Sequence, residues 1–115
     1  MVHYDGNEKV IGTWFGQTLY EKTVLLDTIS KNTWVDVSLA SLGINSVHEI
    51  IVVKGRYHTP SSTWSVDANF YNSSSSFGTL GASWNVNTPR ISYYYADSSA
   101  NNTQLYITIQ YTKTS

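Results

Sequence analysis

The chain has 115 residues, a formal net charge of −1 and no cysteine. This length predicts one domain, residues 1–115, and the lack of cysteine excludes disulfides, thiolate metal sites and cysteine nucleophiles. Charged residues make up 13% of the chain, against about 25% in an average protein, which argues against nucleic-acid binding. No apolar run approaches the ~20 residues of a spanning helix, so we expect no membrane insertion.

The polarity of the chain comes from 16 serines, 13 threonines and 9 asparagines. With the many β-branched and aromatic residues, this is a composition of strands and turns. The first elements along the chain are two strand-like segments, residues 9–15 and 18–26, on either side of Gly16 and Gln17. They predict a β-hairpin with a short turn that contains glycine.

Three elements are predicted in the next part of the chain. Residues 34–39 are typical of a short strand, and residues 41–45 of one helical turn that Gly43 ends. Residues 47–57 contain the unbroken apolar run Ile50–Val53. An apolar run without alternation is typical of a strand covered on both faces, so we predict a central strand here.

Apolar and polar residues alternate in the rest of the chain. The alternation predicts strands at residues 64–71, 80–87, 90–95 and 105–112, with loops at 72–78 and 96–102. Trp14, Trp64 and Trp84 fall on the apolar faces and are expected in the core. About eight short strands at this spacing are typical of a sandwich or barrel. We predict an all-β fold, an antiparallel, jelly-roll-like β-sandwich.

The sequence offers no motif for catalysis. No GxSxG, GxGxxG or HExxH pattern occurs, and His48 and His58 lie too far apart along one strand to share a metal. Copies of one histidine could still meet on a symmetry axis between chains. None of the eight carboxylates is marked by its neighbours as one of a catalytic pair. We therefore expect no catalytic residue, no metal and no cofactor.

Tyr93, Tyr94 and Tyr95 are the most informative aromatic residues. Successive strand residues point to opposite faces, so one sandwich core cannot bury all three. Either Tyr94 or the pair Tyr93 and Tyr95 is expected to face water or another subunit. The exposed side could be a subunit interface, a ligand contact such as stacking on a sugar ring, or ordinary surface.

Three segments resemble a domain of bacteriophage tail proteins. Residues 8–23 resemble the "VIGTW-x-(D)G-K-PLY-x-KT" hairpin that opens the C-terminal domain of tail fibres, receptor-binding proteins and prophage appendages. Residues 46–55 are similar to a later strand of that family, and residues 105–114 to its terminal strand, which commonly closes on "YTKT". The turn departs from the pattern, with Gly16-Gln17-Thr18 where the family often has Asp-Gly-Lys-Pro, and residues 57–95 match nothing in it.

The resemblance implies a tail-fibre tip domain in the phage virion, made in the cytoplasm of the bacterial host. It also implies a homotrimer that adheres to the host surface, with a bacterial glycan as the expected receptor. The candidate contact residues are Tyr71, Asn72, Tyr93, Tyr94, Tyr95 and Asp97. Two alternatives are a structural trimerisation or capping module without a ligand and, less favoured, a glycan-degrading enzyme.

Overall fold

The computed structural model describes residues 7–61, 64–83, 89–99 and 101–114, with only the backbone of Ser83. Nine strands in these ranges form two antiparallel sheets. Sheet A has the order β1-β2-β9-β4-β5, and sheet B has the order β3-β8-β7-β6. The strands are β1 (Lys9–Trp14), β2 (Gln17–Leu26), β3 (Trp34–Ser38), β4 (Val47–His58), β5 (Ser65–Asp67), β6 (Phe70–Ser73), β7 (Ser76–Ser83), β8 (Arg90–Ala96) and β9 (Gln104–Lys113).

The two sheets pack face to face, which confirms the predicted β-sandwich. The chain crosses between the sheets after β2, β3, β5 and β8. The last strand, β9, lies in the middle of sheet A, between β2 and β4. The predicted strand at residues 80–87 is seen as far as Ser83, and its second half, with Trp84, lies outside the described residues.

The first hairpin forms as predicted. Strands β1 and β2 pair antiparallel, with Trp14 opposite Gln17, so the loop consists of Phe15 and Gly16. Both loop residues have positive φ angles, 48° and 79°, as a two-residue type I′ turn requires. This conformation suits Gly16 but is strained for Phe15. The Phe15 side chain is 90% exposed, so packing inside the domain does not offset the strain.

The core lies between the sheets. Leu105, Ile107, Ile109 and Tyr111 of β9 are fully buried, which confirms the alternation predicted for this strand. Strand β4 is an interior strand, but β9 occupies the centre of sheet A. The run Ile50–Val53 is only half-buried, so the expectation that both of its faces are covered is wrong, because Ile50 and Val53 pack against the core and no second layer covers the opposite face of this run among the described residues. The predicted helical turn is a 3₁₀ turn at Ala40–Leu42, ended by Gly43 in the left-handed conformation.

The predicted strand at residues 64–71 is wrong. The segment contains two strands, β5 in sheet A and β6 in sheet B, joined by a corner at Ala68 and Asn69. The Asp67 Oδ1 atom accepts a hydrogen bond from the Asn69 N–H at 2.9 Å, and the Asn69 side chain accepts one from the Leu80 N–H at 2.9 Å. Such local hydrogen bonds compete with strand pairing and carry the chain from one sheet to the other.

The predicted loop at residues 72–78 is also mostly strand. Strands β6 and β7 form a hairpin in which Ser73 lies opposite Ser76, so the turn is confined to Ser74 and Ser75. The Ser75 N–H donates to the Ser73 hydroxyl at 3.4 Å. The hairpin brings Tyr71 to the edge strand of sheet B, where the candidate site lies.

Candidate functional site

A groove in the described part of the chain lies where the two sheets part. Strand β5 is the last strand of sheet A and β6 the last strand of sheet B. Between these edges the sandwich opens into a groove of about 580 Å³. Its lining is aromatic on one side and mostly neutral and polar on the other, with Asp97 as a charged member: Thr59, Trp64, Val66, Phe70, Tyr71, Asn72, Ser76, Tyr95, Asp97, Ser99 and Asn101.

Four aromatic rings pack together at the groove and are here called the inner cluster: Tyr57, Trp64, Phe70 and Tyr95. Trp64, Phe70 and Tyr95 line the groove, and Tyr57 lies beneath them in the core. Tyr57 and Tyr95 are buried and stacked, with ring centroids 4.4 Å apart. Trp64 packs edge-on against Phe70 at 5.6 Å and is 38% exposed. The cluster therefore runs from the core to the surface and ends in an indole ring that solvent reaches.

Gly78 makes room for the inner cluster. A Cβ atom at this position would lie 2.7 Å from the Tyr57 ring, 2.8 Å from the Phe70 ring and 2.9 Å from the Ala68 carbonyl oxygen. These distances are shorter than any normal contact, so the packing of the two rings against β7 requires glycine.

The polar rim is formed by Asp97, Ser99 and Asn101 and is fixed by two side chains. The Lys31 ammonium contacts the Asp97 carboxylate at 3.2 Å and also donates to the carbonyl oxygens of Ser99 and Asn101. The Asn32 side chain donates to the Asp97 carbonyl oxygen at 2.8 Å and accepts from the Asp97 N–H at 3.2 Å. The rim is thus held in one position by its own hydrogen bonds.

Asp97 is occupied by this network. Its carboxylate accepts from the Lys31 ammonium and from both the hydroxyl and the N–H of Ser99. Burial alone would raise the pKa of Asp97, but the hydrogen bonds from Ser99 and Lys31 and the Lys31 charge outweigh it and hold the pKa below its ordinary value. A carboxylate that stays ionised and fully bonded is suited to anchoring a loop rather than to proton transfer.

Burial keeps the tyrosines of the cluster neutral. Desolvation, with the nearby Asp97 charge, raises the pKa of Tyr95 to about 12, and desolvation raises the pKa of Tyr57 further. The Tyr57 hydroxyl donates to the backbone carbonyl oxygens of Thr79 and Tyr94. Both hydroxyls are therefore tied to the protein and stay protonated at physiological pH.

The six candidate residues divide into three groups. Tyr71, Asn72, Tyr95 and Asp97 line the groove together. Tyr94 is half-buried, while its neighbours Tyr93 and Tyr95 are buried, so Tyr94 is the tyrosine on the outer face of β8. Tyr93 is 4% exposed and lies in the core, where its position gives it a packing role.

Sequence reasoning missed two parts of the site. Trp64 and Phe70 were assigned by alternation to one strand, and Trp64 to the core. The core assignment is wrong for both Trp64 and Trp14, which are 38% and 39% exposed. Lys31 and Asn32 had no signal of their own, since Asp97, which both side chains contact, lies 66 and 65 positions away in the sequence.

The arrangement of the groove is suited to binding. Among the described residues no group of three or more histidine and carboxylate side chains is placed to hold a metal ion. Within the same ranges no helix has the length and hydropathy to cross a membrane. What the groove offers is an aromatic surface beside serine and asparagine side chains. Such a surface can stack on a ring and hydrogen-bond to hydroxyl groups.

Comparisons with known proteins bear on neither the resemblance nor the function. The chain matches no protein-family model, no curated protein and no solved structure. The function is therefore inferred from the groove and from the sequence resemblance.

Proposed function

We propose that this chain is the head domain of a phage tail fibre or receptor-binding protein, and that it binds a bacterial surface glycan non-covalently in the groove between β5 and β6. The observation that carries the proposal is the pairing of exposed aromatic rings, Trp64 and Tyr71, with a hydrogen-bonding polar rim in which the Asp97 carboxylate is paired with Lys31. The resemblance of residues 8–23, 46–55 and 105–114 to tail proteins supplies the biological setting.

The charge of the groove favours a neutral sugar. Among the described residues that line the groove, Asp97 alone is charged, and the Lys31 ammonium pairs with it at 3.2 Å. Asn72, Ser76, Ser99 and Asn101 offer donors and acceptors without charge. The apolar face of a sugar ring stacks on aromatic rings, and its hydroxyl groups match the amide and hydroxyl groups of the rim.

Binding to an array of purified bacterial surface polysaccharides tests the proposal. We expect at least one neutral polysaccharide to bind the wild-type protein. Trp64→Ala should abolish that binding, and Asn72→Ala, an exposed rim substitution without effect on the core, should weaken it roughly 3- to 10-fold for one lost hydrogen bond.

Tyr106→Ala is the matched control, because Tyr106 is an aromatic residue of β9 outside the groove lining. It should bind the array like the wild type. Binding that survives both groove substitutions would contradict the proposal. Release of reducing sugar from the bound polysaccharide would instead support the glycan-degrading alternative.

The same proposal includes association of three copies through the first hairpin. Every residue of β1 is exposed, and four large apolar side chains lie on this hairpin: Val10, Ile11, Trp14 and Phe15. We call these four residues the hairpin surface. An exposed apolar group of this size is typical of a contact with another protein. The strained φ of Phe15 keeps an aromatic ring at the tip where asparagine or glycine would be easier to accommodate.

The positions of the hairpin surface and the groove fit a symmetric assembly. Strands β1 and β5 form opposite edges of sheet A, about 19 Å apart at the usual strand spacing. Copies that meet through β1 would therefore leave their β5 edges and grooves facing outward. Several weak glycan sites on one assembly would then bind the cell surface with increased avidity.

Sedimentation equilibrium tests the association. The wild type should sediment as a trimer and Phe15→Asn as a monomer. Asparagine adopts positive φ readily, so Phe15→Asn should keep or raise the stability of the monomer, which separates an interface effect from misfolding. A monomeric wild type would contradict this part of the proposal. A trimer that binds no polysaccharide on the array would favour the structural trimerisation module.

A further inference from the structure

A second set of aromatic rings crosses the outer face of sheet B. Trp34 of β3 lies 5.3 Å from Tyr94 of β8, which lies 5.5 Å from Phe77 of β7, which lies 6.4 Å from Tyr71 of β6, all measured between ring centroids. Each of the four strands contributes one ring. We call these four residues the outer stripe.

Strand alternation places the outer stripe on the solvent side of the sheet. The neighbours of these residues point inward: Val35 and Phe70 pack against the core, and Gly78 and Tyr95 are buried. Trp34 and Tyr71, at the two ends of the stripe, are 65% and 76% exposed. Rows of large exposed rings are unusual on a monomer surface, and burial in the sandwich does not explain this one.

The outer stripe is continuous with the groove. Tyr71 is the last ring of the stripe and also part of the groove lining, because β6 is the edge strand where the outer face of sheet B turns into the opening. A ligand in the groove therefore reaches the stripe by passing over Tyr71.

The surroundings of the outer stripe carry little net charge. The charged side chains that share this face on β3 and β8, Asp36 and Arg90, lie 3.9 Å apart and pair with each other. Asp36 also accepts a hydrogen bond from the Ser92 hydroxyl. Thr79, which lies opposite Tyr94 in the sheet, adds a further hydroxyl. The chemistry matches that of the groove, aromatic rings with neutral hydroxyl groups.

From this continuity and charge we infer that the outer stripe is an extension of the binding site, and that the ligand is an extended neutral polysaccharide chain that runs from the groove over Tyr71 and Phe77 to Tyr94 and Trp34. The inference rests on the proposed glycan-binding function and adds that the domain recognises the length of a chain, not only a terminal sugar.

Fragments of increasing length, cut from the polysaccharide that binds best on the array, provide the test by isothermal titration. For the wild type, the affinity should rise with fragment length, by roughly 2- to 10-fold for each ring of the stripe that is reached. Trp34→Ala should lower the affinity for the longest fragments by one such factor and leave the affinity for the shortest unchanged. Tyr94 lies nearer the groove than Trp34. In Tyr94→Ala the rise of affinity with fragment length should therefore stop at shorter fragments than in Trp34→Ala.

Trp64→Ala should lower the affinity for all fragments, and Tyr106→Ala for none. If Trp34→Ala and Tyr94→Ala bind all fragments like the wild type while Trp64→Ala does not, the extension is wrong and the groove proposal stands. If no polysaccharide binds the wild type, both are wrong. A Trp34→Ala protein whose sedimenting mass falls while fragment binding is unchanged would show that another copy of the chain covers the stripe, which also overturns the inference.

Discussion

Two sets of four aromatic rings have opposite environments in this sandwich. The outer stripe crosses the solvent face of sheet B, whereas the inner cluster lies between the sheets, with Phe70 and Tyr95 from sheet B, Tyr57 from β4 of sheet A, and Trp64 just before β5. The inner cluster is buried at Tyr57 and Tyr95 and reaches solvent at Trp64, whereas the outer stripe is exposed at both ends. Tyr94 and Tyr95 are adjacent in the chain, yet one lies on each face. The comparison shows that residue type alone does not decide whether an aromatic ring is buried. Strand alternation decides which face of sheet B the ring lies on, and only the face that packs against sheet A is covered.

The two sets are expected to differ in what they contribute. Rings in the inner cluster lose water on folding, so they contribute to the free energy of unfolding. Rings in the outer stripe keep much of their contact with water in the folded domain, and the gain from covering them is available to a ligand. The predictions below test this division, beginning with the largest effect.

Tyr95→Ala should be the most damaging substitution. Removal of a fully buried ring leaves a cavity against Tyr57 and Phe70, and the expected loss in the free energy of unfolding is about 3–5 kcal/mol. Tyr94→Ala, one residue earlier, should cost less than about 1 kcal/mol, as a half-buried surface site does. Urea denaturation measures both, and equal losses would contradict the assignment of the two faces.

Gly78→Ala tests the packing of the inner cluster from the backbone side. The added methyl group would meet the rings of Tyr57 and Phe70, and overpacking of this kind costs about 1–3 kcal/mol. Gly81→Ala on the same strand is the control, since nothing lies within 4 Å of its Cβ position. Equal changes in the free energy of unfolding for Gly78→Ala and Gly81→Ala would contradict the tight packing of the inner cluster against Gly78.

Lys31→Met tests the anchor of the groove rim and should lower the free energy of unfolding by about 1–2 kcal/mol, as expected for lost hydrogen bonds to a charged group. The pKa of Asp97 lies below its ordinary value of 3.8 in the folded protein. The stabilisation that the ionised Asp97 carboxylate gives the folded state is therefore complete above pH 3.8 and is lost as the pH falls through the lower pKa of the folded protein.

Between neutral pH and pH 3, the free energy of unfolding should fall less in Lys31→Met than in the wild type, because the variant has already lost the ion pair with Asp97. Glu8→Gln serves as the comparison. Burial alone would raise the pKa of Glu8, but hydrogen bonds from Lys113 and Tyr111 outweigh it and lower the pKa, and this carboxylate lies away from the groove, at the hairpin end of sheet A. Glu8→Gln should alter the acid loss without altering glycan affinity, and Lys31→Met should alter both. A Lys31→Met protein with wild-type glycan affinity would show that the rim does not position the ligand.

The buried tyrosine hydroxyls should have the smallest effect on the free energy of unfolding near neutral pH, because they ionise only in alkaline solution. Desolvation raises the pKa of Tyr95 to about 12 and raises the pKa of Tyr57 and Tyr111 further above the ordinary value of 10.0. A group whose folded pKa is raised stabilises the fold below its unfolded pKa, and that stability is lost as the pH rises above it. The free energy of unfolding should thus fall above pH 10. Phenolate absorbance should appear later in the native than in the urea-unfolded protein, and coincident titration curves would contradict the burial of these hydroxyls.

Regular alternation made much of the fold predictable. In β9 every second residue is buried because the strand lies in the middle of sheet A with one face on the core, so its sequence pattern reports its environment directly. The first hairpin was predictable because a short glycine turn between two strand-like segments has few other solutions. The tyrosine run predicted that either Tyr94 or the pair Tyr93 and Tyr95 would lie outside the core, and only the structure shows that it is Tyr94.

The site itself was less predictable. The corner at Asp67 and Asn69 preserves the alternation of apolar and polar residues, so the sequence of residues 64–71 does not show that the chain changes sheets there. Trp64 therefore resembled a core residue, whereas its place beside an edge strand leaves it half-open. Lys31 meets Asp97 only because the fold brings distant loops together, and no local pattern encodes such a contact.

The indole N–H signals of the tryptophans give the most direct test of the central claim, that the open edge between β5 and β6 and the outer stripe form one glycan site while the hairpin surface is separate. The signals can be recorded in a ¹⁵N-labelled protein, assigned by single Trp→Phe substitutions and followed during titration with the longest polysaccharide fragment. We predict that the Trp64 and Trp34 signals shift together and that the Trp14 signal stays in place. A shift of Trp14 alone, or no shift of Trp64 with a fragment that binds, would contradict the account.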